Sequence, residues 1–126
     1  MRAESTWLTG RTAAWSVCDT DSGAVVGEVT VGVMDELLGR WNLGYSTHPA
    51  WRGRGIAVRA ARLAATWAAD LPAVARLEAG ANVHNTPSLT VLDRAGFIRE
   101  GVLVGLLPSL TGPRQDVVQY RWPMPR

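Results

Sequence analysis

From Thr12 to Cys18 the chain alternates, with Ala13, Trp15 and Val17 on one side and Thr12, Ala14 and Ser16 on the other, which predicts a strand with one buried face. Asp19-Thr-Asp-Ser-Gly23 reads as a turn, because Asp and Ser bond their own backbone and Gly accepts positive φ. A second strand over 24–33 completes a hairpin, with Val25, Gly27, Val29, Val31 and Val33 sharing a face opposite Val26, Glu28, Thr30 and Gly32. After a turn over 34–39, residues 40–47 alternate again and set Trp41, Leu43, Tyr45 and Thr47 together. Following a loop over 48–55, apolar positions 56, 60, 63, 67 and 71 carry the spacing of an amphipathic helix with Arg59 and Arg62 outward, closed by Pro72. Residues 74–83 predict a strand with little side-chain bulk at Ala79, Gly80 and Ala81. Thr86 as N-cap and Pro87 as first helical residue then open a short helix through Leu89, Leu92 and Ala95 that stops at Gly96. Strands over 97–107 and 116–122 finish the chain. The order β-β-β-α-β-α-β-β is a mixed α/β (α+β) arrangement around one sheet, expected to form a single domain over 1–126.

Composition narrows the function classes. The 126 residues, 47% hydrophobic with six Trp, suffice for one core and argue against disorder. All thirteen basic residues are Arg, yet the net charge is only +2 and acidic residues are interspersed throughout, which gives no basis for a nucleic-acid partner. The longest apolar run, 101–107, ends at Pro108 and is far shorter than a membrane span. Met1-Arg-Ala-Glu-Ser lacks the apolar core of a signal peptide, so a cytoplasmic protein is expected. Cys18 reads as a buried, inert thiol, and with His48 and His84 it offers no recognised metal spacing.

Two strand-to-helix junctions carry the candidate chemistry. Arg52-Gly53-Arg54-Gly55-Ile56-Ala57 suits an anion: glycines admit close backbone approach, a helix start presents free N–H groups, and Arg52 and Arg54 add charge. The Gly-Lys-Ser/Thr ending of a P-loop is absent, and taken alone the segment also fits a plain turn with solvated charges. At the second junction the amide of Asn85 and the hydroxyl of Ser88 could meet a ligand, and helix capping explains them equally well.

Taken in order, these segments resemble the GNAT superfamily of acyl-CoA-dependent N-acyltransferases. Residues 52–57 are similar to its Gln/Arg-x-x-Gly-x-Gly/Ala signature, preceded by Gly44-Tyr-Ser-Thr-His-Pro-Ala-Trp51. Asn85-Thr-Pro-Ser88, Val91-Leu-Asp-Arg-Ala-Gly-Phe97 and Glu100-Gly101 resemble the RimJ/RimL branch, the ribosomal-protein N-terminal acetyltransferases. The resemblance spans about 15–120. It implies a sheet that opens beside the third strand to admit the pantetheine arm of acetyl-CoA, with the pyrophosphate on the Arg52–Ala57 loop. It further implies Thr47 as the strand end that pairs with the arm, Asn85 as a contact to it, and Ser88 as proton donor to the departing thiolate.

The attacking amine must lose a proton, and a carboxylate is the natural base. Glu28 and Glu78 are the candidates, each also readable as a solvent-facing strand residue; His48 and His84 flank the two junctions without a partner that the sequence identifies. Tyr45 reads as wall, and Cys18 gives no support for a covalent acyl carrier. Members of the superfamily begin with a strand and one or two helices that help form the acceptor site, whereas about eleven residues precede Thr12. The expectation is therefore an N-terminally shortened domain whose exposed sheet edge pairs with a second copy in a homodimer. The expected activity is transfer of acetyl from acetyl-CoA to a protein N-terminus or small-molecule amine by direct attack in a ternary complex, without a metal. The rival reading is a non-catalytic acyl-CoA-binding or partner-binding module.

Overall fold

A computed structural model describes residues 2–7, as backbone, and 12–125. The strands are β1 (Arg2–Trp7), β2 (Thr12–Cys18), β3 (Val25–Asp35), β4 (Arg40–Thr47), β5 (Arg76–Asn82), β6 (Ile98–Leu107) and β7 (Gln115–Arg121), with helices α1 (Ile56–Ala69) and α2 (Thr86–Ala95). They form one mixed sheet in the order β1-β2-β3-β4-β5-β7-β6. Every neighbouring pair is antiparallel except β4 and β5, which run parallel and are joined by the crossover helix α1. The α/β class and the six strands and two helices read from the pattern are all present.

The first strand was not legible. β1 pairs with β2 from Arg2↔Cys18 to Trp7↔Ala13, so the expectation that the domain lacks an N-terminal strand is corrected. Arg2-Ala-Glu-Ser-Thr-Trp7 has almost no apolar contrast between its faces, and this strand is defined by the β2 edge it covers. Met1, residues 8–11 and Arg126 lie outside the described residues, and with them part of the N-terminal reading.

Period-two alternation places the core on one side of the sheet. Val29, Val31 and Val33 of β3 stand opposite Tyr45, Leu43 and Trp41 of β4, and Trp41 in turn stands beside Leu77 of β5. Both helices pack on this face, completing a cluster with Ile56, Leu92, Phe97 and Tyr120. The other face carries Glu28, Thr30, Asn42 and Ser46, and no described helix covers it.

Two helix details differ from the sequence pattern. α1 buries Ala60, Ala61, Ala64, Ala65 and Ala68, while Leu63, expected in the seam, is 61% exposed. Small side chains let the helix approach the sheet closely, so alanine marks the core stripe and leucine falls outside it. In α2 the N-cap is Asn85, with its side chain accepting from the Ser88 N–H, so Thr86 and Pro87 sit one position further into the helix than read. Accordingly, Ala65→Leu is expected to cost about 1–3 kcal/mol by overpacking. Leu63→Ala should stay within about 0.5 kcal/mol. Urea denaturation of both variants checks this, and the opposite ranking would place the seam on Leu63.

Candidate active site

The parallel join between β4 and β5 is short. Its register consists of Arg40↔Arg76, Trp41↔Leu77 and Asn42↔Glu78. Beyond it, Leu43 to Thr47 keep the β3 ladder and Ala79 to Asn82 keep the β7 ladder, with no ladder between them. The sheet therefore opens toward the carboxyl ends of its two parallel strands, where ligands of open α/β sheets bind. α1 follows β4 and α2 follows β5, so both helix N-termini, with their positive dipole ends, stand at this opening.

On the β4 side the glycine loop is shaped by left-handed backbone. Gly55 has φ +74 and is the N-cap of α1 without any side-chain cap bond, so no side chain competes with a ligand for the first-turn N–H groups. The Arg52 Nε donates to the Thr47 carbonyl at 3.2 Å, tying the loop to the strand end. The Arg54 guanidinium lies 4.7 Å from the centre of the Trp51 ring. Between this loop and the β2–β3 turn is a polar cleft of about 230 Å³, lined by Asp19, Thr20, Trp51, Arg54 and Arg59, with Cys18, Val26 and Ile56 among its walls. Ala57 is the second residue of α1, directly after Ile56. Arg59, exposed as the sequence placed it, and the buried Cys18 therefore border the cleft beside the glycine loop. The spacing of four from Gly55 was the available signal for Arg59, since residues i and i+4 share a helix face.

On the β5 side, the Asn85 Oδ1 accepts from the Ser88 N–H at 3.2 Å, which leaves the Asn85 amide N–H groups for other partners. The Tyr45 hydroxyl reaches from β4 to α2, lying 2.6 Å from Ser88 Oγ and donating to the Ser88 carbonyl at 3.1 Å. Burial pushes the Tyr45 phenol above its ordinary value, the Ser88 hydrogen bond opposing that shift, so it is a neutral donor near neutral pH. Tyr45, read as wall, is a hydrogen-bond partner of the candidate proton donor.

The two carboxylates are placed differently. Glu28 is exposed on the open face, directly opposite Ser46 near the free end of β4. Glu78 is 1% exposed at the closed end of the opening and accepts from Arg40 Nε at 2.6 Å, Arg40 Nη2 at 2.8 Å and Gln119 Nε2 at 2.6 Å. Arg76 approaches it at 3.2 Å. The Arg40 hydrogen bonds hold its carboxyl below the ordinary carboxylate range against an opposing desolvation effect. A base needs a free lone pair near the reacting amine; Glu78 has its oxygens engaged at the far end, which argues against that role. His48 Nδ1 accepts from the Ala50 N–H at 3.2 Å and caps the short turn over Pro49–Trp51, while His84 is exposed beside Asn85. Among the described residues no cluster of three or more His, Cys, Asp or Glu could hold a metal, and no helix is long and apolar enough to cross a membrane.

The opening, the glycine loop and their order along the chain are those of an acyltransferase fold. The chain belongs to the acetyltransferase (GNAT) domain family, which matches residues 1–98. It is 38% identical over 60 residues to the probable N-acetyltransferase YjcK of Bacillus subtilis (strain 168), a match covering 48% of this chain and 33% of that protein. Among solved structures it resembles the ribosomal-protein-S5-alanine acetyltransferase of Vibrio fischeri, with TM-score 0.78 and 23% identity over 89% of this chain and 61% of that one. It also resembles Mycobacterium smegmatis RimJ in complex with CoA-disulfide, with TM-score 0.76 and 30% identity over 89% of this chain and 53% of that one. The matches thus span a third of the curated relative and between half and two thirds of these structures.

The Glu78 geometry gives a pH dependence. Its folded pKa is depressed below the ordinary 4.5, so its contribution to stability is present above that value and is lost as pH falls through the folded pKa. Wild type should exceed Glu78→Gln in stability at pH 7, and the difference should shrink below about pH 4.5. Urea denaturation of both proteins across this range checks it; a pH-independent difference would contradict the assignment.

Proposed function

We propose that this chain acts as one domain that transfers an acetyl group from acetyl-CoA to a primary amine, in the manner of the RimJ/RimL branch. The observation that carries the proposal is the unpaired opening between β4 and β5, flanked by an uncapped helix start on one side and the Tyr45–Ser88 hydroxyl pair on the other. The free backbone of Leu43 to Thr47 suits the amides of the pantetheine arm, with Asn85 facing it from the second junction. The Arg52–Ala57 loop, with Arg54 and Arg59, suits the phosphates.

In the proposed reaction the amine nitrogen attacks the thioester carbon in a ternary complex. The C–N bond forms, the C–S bond breaks, and the amine proton passes to Glu28 directly or through water. The thiolate takes a proton from the Ser88 hydroxyl as Ser88 Oγ takes one from the Tyr45 hydroxyl 2.6 Å away, and the phenol regains its proton through water from the one that Glu28 accepted. Glu28 lies on the open face and Ser88 on the helix face, so base and acid approach the opening from opposite sides of the sheet. The likeness of Asn85–Ser88 and Val91–Phe97 to the RimJ/RimL branch supports a protein N-terminus as acceptor, and a cytoplasmic location accords with an acetyl-CoA substrate.

Calorimetric titration with acetyl-CoA, followed by thiol release with N-terminal peptides and small amines, tests this. Wild type should bind and turn over. Gly55→Glu, which forces a side chain and a negative charge into a left-handed position at the phosphate loop, should abolish binding. Ser88→Ala should lower kcat about 10²-fold or more with little change in KM. Binding without turnover on any amine would favour the acyl-CoA-binding module instead.

The proposal includes a homodimer, formed at a different edge from the one the sequence suggested. β1 covers β2, whereas β6 is the opposite edge strand and exposes Val102, Val104 and Leu106, Val104 being 83% exposed. A second β6 would pair its free ladder and cover this apolar strand. Sedimentation equilibrium should show a dimer that Val104→Lys dissociates; a wild-type monomer at tens of micromolar would contradict it.

A further inference from the structure

We propose that Glu78 is a positioning residue: its carboxylate, clasped by Arg40 and Gln119, pins the point where β4 and β5 part and sets the width of the cofactor opening. This rests on the acetyl-CoA reading of that opening. Asn42↔Glu78 is the last register pair of the parallel join, so the side chain sits at the apex of the divergence. Its partners come from both sides: Arg40 belongs to β4, and Gln119 to β7, the neighbour of β5 in the second half of the sheet. Among the described residues no buried side-chain polar atom lacks a partner, so the clasp is complete.

The chemistry of the clasp fits a positioning role better than a stabilising one. A buried ion pair adds little net stability compared with an apolar pair of the same volume. A planar guanidinium holding both carboxylate oxygens does, however, fix distance and angle together, which apolar packing does not. The leverage is considerable. From residue 78 to the end of β5 is about 13 Å at about 3.3 Å per residue, so a rotation of about 5° at the pin moves the strand end by about 1 Å. That end leads into Asn85 and Ser88, and a misplacement of about 1 Å costs on the order of 10²-fold in rate. Arg76 and Glu100 extend the network away from the opening, where Arg76 also donates to Glu100.

The test compares two ligands on Glu78→Gln and Arg40→Lys, the second keeping the charge while losing the fork. Acetyl-CoA needs the opening; adenosine bisphosphate, the nucleotide half of CoA without its arm, needs only the loop and cleft on the β4 side. Calorimetry should show acetyl-CoA bound about 10-fold more weakly by each variant, with adenosine bisphosphate affinity within about twofold of wild type. Arg40→Lys carries the test if Glu78→Gln does not fold. Unchanged acetyl-CoA affinity, or equal weakening of both ligands, would overturn the pin. Wild type that binds neither ligand would instead overturn the acetyl-CoA reading beneath it.

Discussion

Three backbone pairs between β4 and β5 hold two antiparallel half-sheets together, and the rest of the structure follows from their shortness. A parallel neighbour requires a crossover, which α1 supplies, and that crossover brings a helix start to the carboxyl end of β4. The same geometry at β5 brings α2 there. Below the join, the Gly39 carbonyl accepts from both Ala75 and Arg76, and Gly39 is left-handed with φ +67, where a Cβ would come within 2.9 Å of Ala75 Cβ. Closed at one end by this turn and the Arg40–Glu78 clasp, the two halves part at the other. Tyr45 and Ser88 link β4 to α2 near the open end.

The sheet also separates the chemistry. Alternation sends Tyr45 to the helix face, where burial keeps its phenol protonated beside Ser88, and Glu28 to the uncovered face, where water reaches it. Glu78 has the same side-chain direction as Asn42 and Gly80, yet lies at the closed end among guanidinium groups. Two strand carboxylates of similar sequence setting therefore have different environments because one stands at the apex and the other near the mouth.

What was legible in the sequence is what local physics writes into it. The β2–β3 hairpin shows as alternation around Asp19–Gly23, and the Gly53 and Gly55 loop shows because left-handed backbone selects glycine. β1 was hidden because its pairing partner, and not its own pattern, makes it a strand. Within the α1 seam only Leu63 was misplaced, because a close helix–sheet approach selects alanine over the more hydrophobic leucine, while Ile56, Ala60, Trp67 and Leu71 do pack on the core. Within the candidate site, both junctions could be read, but the contacts across them could not. Tyr45 with Ser88 and Glu78 with Arg40 are 43 and 38 residues apart, joined only by tertiary geometry.

The central claim is that acetyl-CoA enters where β4 and β5 part. Hydrogen exchange at the backbone amides of β4, with and without saturating acetyl-CoA, tests it most directly. The expected result is new protection within Leu43 to Thr47, while Arg40 to Asn42, already paired on both sides, are unchanged. Protection confined to residues outside the opening, with Leu43 to Thr47 exchanging as before, would contradict it.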